Sequence, residues 1–272
     1  MAAKAEESDS DLGLCLGGGG GLGFLHIGLF EAMEELGIRP GMIAGTSSGA
    51  VLGALYSAGR SSAEMTEVLR EFRWASMVAP TLPRRGFLST RRMESFFRKH
   101  LGPIDIPDLP IPLKIAAVEL NTGELVGFTE GSLARCLAAS CTMPGIFEPV
   151  KVGGGTYYDA GGIYNLPLEL LSGEGLKTII AGNTIGRNSL LKRPRTVQDV
   201  LFQAYLIRTW HLTRWRTEEL GWSGRKEERL VLVDYHTRGA NPSSLEECKT
   251  LIRDARKLSL EVLGEAFRGK EQ

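Results

Sequence analysis

Apolar residues recur along the chain in two rhythms. Short, nearly continuous runs bounded by glycine or polar residues read as buried strands: Leu12 to Leu16, Gly41 to Ala44, Lys114 to Leu120, Lys177 to Ala181 and Arg229 to Asp234. Helical spacing marks other stretches. Phe24 to Leu36 is stopped by Gly37, and Ala50 to Ala58 follows the second run at once. Near the end, Leu245, Cys248, Leu251, Ile252, Ala255, Leu258, Val262 and Ala266 fall on one helical face. Ser61 and Glu64 open a helix to about Phe72 with a capping-box pattern, and Thr90 to Leu101 predicts another. Leu125 to Thr129 pairs back on the third run across an Asn121 to Glu124 turn, and Val150 to Asp159 predicts a second hairpin. Leu133 to Ser140 is a short helix, and Thr196 to about Leu220 a long one whose aromatics and arginines suit docking on lipid or, the expected case, packing in the core with His211. Residues 74–88 are irregular, apolar and basic, which suits a packed loop with a basic rim or a membrane surface. Residues 103–112 hold four prolines and form a stiff connector.

Strands alternating with helices predict an α/β fold: three layers, α/β/α, around a mostly parallel sheet. At 272 residues the chain is long enough for one such domain, expected over 12–272 behind a polar tail at 1–11. Lys plus Arg and Asp plus Glu are both 32, so net charge is zero, which argues against a nucleic-acid partner. The acidic start is not a signal peptide, and no run of about 18 apolar residues predicts a membrane span. Cys15, Cys136, Cys141 and Cys248 lack metal spacing and read as reduced core thiols of a cytoplasmic protein.

The chemistry gathers at two turns. Gly45-Thr46-Ser47-Ser48-Gly49 sits between a strand and a helix, the setting of a nucleophile elbow. Side chains at Gly45 or Gly49 would collide with the neighbouring strand and helix, and their absence lets the Ser47 hydroxyl point outward. Upstream, Gly17 to Gly21, Leu22 and Gly23 link the first strand to its helix. Bare N–H groups there suit an anion. Gly18, Gly20 and Gly23 also match a dinucleotide fingerprint, but that site needs an acidic residue at the end of the second strand. The serine elbow stands there instead. The loop therefore reads as an oxyanion hole, or as a tight turn that binds nothing.

These residues carry a resemblance. Leu16 to Gly28 followed by the elbow resembles the opening of patatin-like phospholipases, which pair a G-G-G-x-R-G loop with G-x-S-x-G. Ala139-Ser140-Cys141-Thr142-Met143-Pro144-Gly145-Ile146-Phe147-Glu148-Pro149-Val150 is similar to the family's A-S-x-x-x-P-x-x-F-x-P-V segment, and Asp159-Ala160-Gly161 with Asn165-Leu166-Pro167 to its D-G-G/A block and N-x-P. The likeness spans about 12–185. It implies a serine hydrolase of fatty-acyl esters of lipids. Ser47 would be the nucleophile and Asp159 its proton acceptor. N–H groups of Gly19, Gly20 and Gly21 would form the oxyanion hole, and Asn165 would support the loop holding Asp159. No metal or other cofactor is expected, and peripheral membrane contact is possible for such an enzyme.

Two departures stand out. Leu22 replaces the family's arginine, which removes a cation beside the oxyanion site; slow turnover, or acyl binding without turnover, is the expectation, and restoring arginine should speed acyl transfer. Ala160 replaces a glycine and is tolerated if its φ is negative. An alternative triad, Ser47, Asp159 and His236, fits the chain order of α/β-hydrolases, while His26 and His100 read as structural. Replacing His236 by alanine separates the two readings in an ester assay: a triad loses nearly all activity, a Ser–Asp dyad almost none.

Overall fold

The computed structural model describes residues 9–72, 79–80, 85–190, 193–219, 228–235 and 245–268. Its centre is an eight-stranded sheet. In chain order the strands are β1 (Asp9–Leu16), β2 (Pro40–Thr46), β5 (Leu113–Glu119), β6 (Leu125–Phe128), β7 (Val150–Val152), β8 (Gly155–Asp159), β9 (Thr178–Asn183) and β10 (Arg229–Asp234). A two-residue pair, β3 (Ala79–Pro80) with β4 (Leu88–Ser89), stands apart. The order across the sheet is β10-β9-β1-β2-β5-β8-β7, with β6 also on β5. From β10 to β5 every pairing is parallel, while β6, β7 and β8 join antiparallel. The α/β class is as expected from the alternation. β1 begins at Asp9, inside the stretch expected to be a tail, because Asp9 N–H bonds the Arg39 carbonyl and Lys177 N–H bonds the Asp11 carbonyl.

The helices are α1 (Phe24–Glu35), α2 (Ser48–Ser57), α3 (Ser62–Glu71), α4 (Arg91–Leu101), α5 (Leu133–Ser140), α6 (Val197–Arg214) and α7 (Leu245–Phe267). α3 starts on the expected capping box, with Glu64 N–H on Ser61 Oγ and Ser61 N–H on Glu64 Oε2. α6 has a second box, Thr196 with Asp199.

Strand alternation sorts side chains to two faces. Leu14, Leu16, Ile43, Ile180, Val231 and Val233 enter the main core with α1, α2 and α7. Cys15, Ala44, Ile179 and Ala181 face the other way, against Leu166, Leu168, Leu171 and Leu176. That opposite cover is a stretch with a short 3-10 turn, Leu168–Leu170, instead of a long helix. The four cysteines are buried free thiols.

The long helix departs from expectation. Leu206, Thr209 and Thr213 are buried, but Val197, Val200 and Leu201 are exposed, as are His211 and Trp215. Only one stripe of α6 meets the protein. Among the described residues no helix is long and apolar enough to cross a membrane. The expected irregular stretch at 74–88 lies largely outside the described residues.

α1 and α7 cross at Gly28. A Cβ there would lie 2.3 Å from the Ile252 carbonyl oxygen and 2.6 Å from the Arg256 nitrogen. Gly28→Ala is expected to force the helices apart and cost about 1–3 kcal/mol. Denaturant melts measure this, and an unchanged midpoint would contradict so close a crossing.

Candidate active site

The Gly45–Gly49 turn forms where β2 ends and α2 begins. Ser47 has φ 53°, the only positive φ outside glycine among the described residues. Both neighbouring glycines answer a contact. A Cβ on Gly45 would sit 2.7 Å from the Ala50 nitrogen, and one on Gly49 2.3 Å from the Leu16 carbonyl oxygen. The turn can therefore close only without these side chains. Ser47 N–H donates to Ser140 Oγ at 2.8 Å, and Ser140 Oγ–H donates to the Ala116 carbonyl at 2.7 Å. Thr46 Oγ1 donates to the Tyr164 carbonyl.

Register brings Asp159 to this turn. On β5, Ala116 pairs with Thr46 of β2 on one edge and Gly127 of β6 on the other. The next residue, Ala117, pairs with Val126 of β6 and with Asp159 of β8. β6 keeps its edge, so β2 and β8 run head to head along the opposite edge and stop at adjacent positions. Asp159 N–H is held by the Thr142 carbonyl at 2.9 Å. Its carboxylate accepts from Gly161 N–H at 2.7 Å, and the Ser47 side chain lies close enough to favour its charged form.

Asp159 is buried, and desolvation raises its pKa to about 6 despite the bonds from Gly161 and Ser47, which favour the charged form. Burial pushes the neighbouring Cys141 thiol well up, so it stays protonated. Ala160 keeps a non-positive φ and is fully buried, as the alanine requires.

The glycine loop lies at the end of β1. Gly17 N–H donates to the Gly182 carbonyl, and Gly20–Gly23 form a 3-10 turn. Gly18 passes beside Ser47, where its missing Cβ would be 3.1 Å from Ser47 Cβ. Gly20 has φ 57°, a conformation glycine adopts without strain. Gly23 lies against Ser48. Leu22 turns into the main core and is buried. An arginine here would have to bury its cation or leave that packing, so the expected gain from Leu22→Arg meets a steric and dielectric barrier.

Asn165 is buried, with neither side-chain polar atom hydrogen-bonded. The Cβ atoms that Gly17, Gly18 and Gly161 lack would lie 3.1 to 3.4 Å from its amide. It touches both loops by contact. His236 lies outside the described residues. Among the described residues no group of three or more His, Cys, Asp or Glu could hold a metal ion.

Some contributors were not singled out in the sequence. Ser140 and Thr142 grip the two halves of the site, and the A-S-x-x-x-P stretch was their only signal. Thr209 of α6 donates to the Gly161 carbonyl at 3.1 Å, and a Cβ on Gly161 would meet the Tyr205 hydroxyl at 2.5 Å. No local motif marks either residue.

The raised pKa has a consequence for stability. The folded carboxyl holds its proton to about pH 6, while the unfolded one releases it near 3.9. The stabilisation from the protonated form is complete below the unfolded value and lost as pH rises through about 6. Above that, charged Asp159 costs on the order of 2–3 kcal/mol. Asp159→Asn should melt higher than wild type at about pH 8 and differ little near pH 4; a lower melt at the alkaline end would contradict it.

Comparison with known proteins agrees with this architecture. The family model for patatin-like phospholipase matches residues 14–172. An uncharacterised NTE family protein of Mycobacterium tuberculosis is 33% identical over 176 residues, covering 64% of this chain and 49% of that protein. Patatin-like phospholipase domain-containing protein 6 of Homo sapiens is 32% identical over 180 residues, covering 62% of this chain and 13% of that protein. The chain thus spans about half the length of the first relative and a small part of the second. Among solved structures, VipD from Legionella pneumophila shares the fold with TM-score 0.56 at 13% identity, covering 94% of this chain and 67% of that one. ExoU of Pseudomonas aeruginosa, solved with SpcU, gives 0.55 at 14% identity, covering 97% and 54%. With the family model spanning more than half of its length, the chain belongs to the patatin-like phospholipase family.

Proposed function

We propose that this chain is a lipid acyl-ester hydrolase that works through a Ser47–Asp159 dyad. The observation that supports the reading is the meeting of a serine held at φ 53° with a buried carboxylate whose strand ends one register position away and whose ionisation that serine favours. A serine hydroxyl is a poor nucleophile until a base takes its proton. A carboxylate near its usual pKa of about 3.9 is a weak base. Desolvation lifts Asp159 to about 6, which strengthens it while leaving it ionised at neutral pH.

In the proposed reaction Asp159 accepts the Ser47 proton as Ser47 Oγ attacks the ester carbonyl carbon. The carbonyl oxygen becomes an oxyanion, received by N–H groups of Gly19, Gly20 and Gly21. The ester C–O bond then breaks. The alcohol leaves with the proton returned from Asp159, and the acyl group stays on Ser47. Water, giving a proton to Asp159, attacks the acyl carbon; the acyl–Oγ bond breaks, Ser47 Oγ takes that proton back from Asp159, and the fatty acid leaves. Each step uses groups of the chain, the ester and water.

Family membership and a relative named as a patatin-like phospholipase domain-containing protein support an ester of a lipid as substrate. The reading extends to peripheral contact with a lipid surface. Val197 is 77% exposed and Leu201 66% exposed on α6, whose inner stripe holds the Asp159 loop through Thr209.

A short-chain nitrophenyl ester tests the dyad. Ser47→Ala and Asp159→Asn should each lower kcat by about a thousandfold or more. In the wild type, kcat/KM should rise with pH through a midpoint near about 6 and then level off. Equal ester release by wild type and Ser47→Ala would end the hydrolase reading.

A further inference from the structure

We infer that His26 and Thr184 are positioning residues that set the orientation of the glycine loop's peptide planes. The inference rests on the reading of that loop as the oxyanion hole.

His26, in the first turn of α1, is completely buried, and its Nε2 lies 2.7 Å from the Gly17 carbonyl oxygen. Its Nδ1 has no hydrogen-bond partner. Burial lowers its pKa to about 4, so the ring is neutral at neutral pH and carries a single N–H. A carbonyl oxygen can only accept, which assigns that proton to Nε2. Thr184, just past the end of β9, is also completely buried, and its hydroxyl donates to the next carbonyl, that of Gly18.

The consequence follows from peptide geometry. In a trans unit the C=O of one residue and the N–H of the next point in opposite directions. Holding the Gly17 carbonyl on His26 fixes the Gly17–Gly18 peptide plane, with Gly18 N–H away from α1, so the next plane, which carries the proposed donor Gly19 N–H, starts from a set orientation. Holding the Gly18 carbonyl on Thr184 directs Gly19 N–H away from β9. A loop of consecutive glycines has little preference of its own among such orientations. Two anchored carbonyls remove that freedom before substrate arrives, which is what a preorganised oxyanion site needs.

The surroundings fit this arrangement closely. A Cβ on Gly19 would meet Thr184 Oγ1 at 2.7 Å, and one on Gly182 would meet His26 Nδ1 at 3.0 Å. Gly182 also accepts the Gly17 N–H. The end of β9 therefore holds the loop by its backbone, admits the imidazole by lacking a side chain, and supplies the second anchor through Thr184.

Four variants of the full chain test the assignment: His26→Leu and Thr184→Val, which remove the donors, and His26→Gln and Thr184→Ser, which keep them. Two readouts are needed, ester kinetics and hydrogen–deuterium exchange of residues 17–25, with residues 113–119 of β5 as the control for global unfolding. Removing either donor should lower kcat about tenfold or more while KM stays within about twofold. It should also speed exchange in the loop and not in β5. The conservative variants should restore both readouts. Wild-type loop exchange in both donor-lacking variants would overturn the inference, as would conservative variants that fail as badly as the others. If ester release proves independent of Ser47, the hydrolase reading falls by itself, and the exchange data still decide whether these side chains hold the loop.

Discussion

Two strands that run toward one another along a single edge of β5 must stop somewhere, and where they stop creates the site. β2 ends opposite Ala116 and β8 ends opposite Ala117. Ser47 lies one residue beyond the first and Asp159 is the last residue of the second. Backbone pairing thus places a hydroxyl beside a carboxylate although more than a hundred residues separate them. A one-residue slip of β8 would turn Asp159 to the other face of the sheet. Ser140 and Thr142 lock the junction, one holding the elbow N–H and the other the Asp159 N–H.

The junction also explains the state of the carboxylate. Asp159 closes a strand inside the fold, so water cannot solvate it fully. Gly161 N–H and the Ser47 hydroxyl compensate in part. What remains is a base stronger than an exposed aspartate and still ionised at neutral pH. Stability is given up for this, since a neutral amide would fit the same pocket without the desolvation cost. The strained φ of Ser47 belongs to the same pattern. A non-glycine residue in that region costs of order 1–3 kcal/mol and persists only when its surroundings impose it. Here Gly45 and Gly49 permit the turn, and Ser140 holds its N–H.

Around this junction the cover is unequal. The main core is deep, with α1, α2 and α7 packed on one face. The opposite face has a thinner layer, and α6 leaves much of its apolar surface in solvent. That exposure lies beside the Asp159 loop, which Thr209 of α6 holds by the Gly161 carbonyl.

Much was legible in the residues alone. Continuous apolar runs and helical spacings located the strands of the main sheet and most helices, because burial on both faces of a sheet, or on one face of a helix, leaves such a trace. The capping box of Ser61 and Glu64 marked a helix start, and the elbow glycines announced a turn too tight for side chains. Other features have no local trace. The start of β1 at Asp9 depends on partners at Arg39 and Lys177. The exposed stripe of α6 depends on what packs against it in three dimensions, which helical spacing does not record. Leu22 shows its inward packing only once the core is assembled. Spacing along the chain determined which residues could do chemistry; the pairing register of the sheet decided which of them meet, because hydrogen bonds between distant strands, not sequence proximity, set where side chains come together.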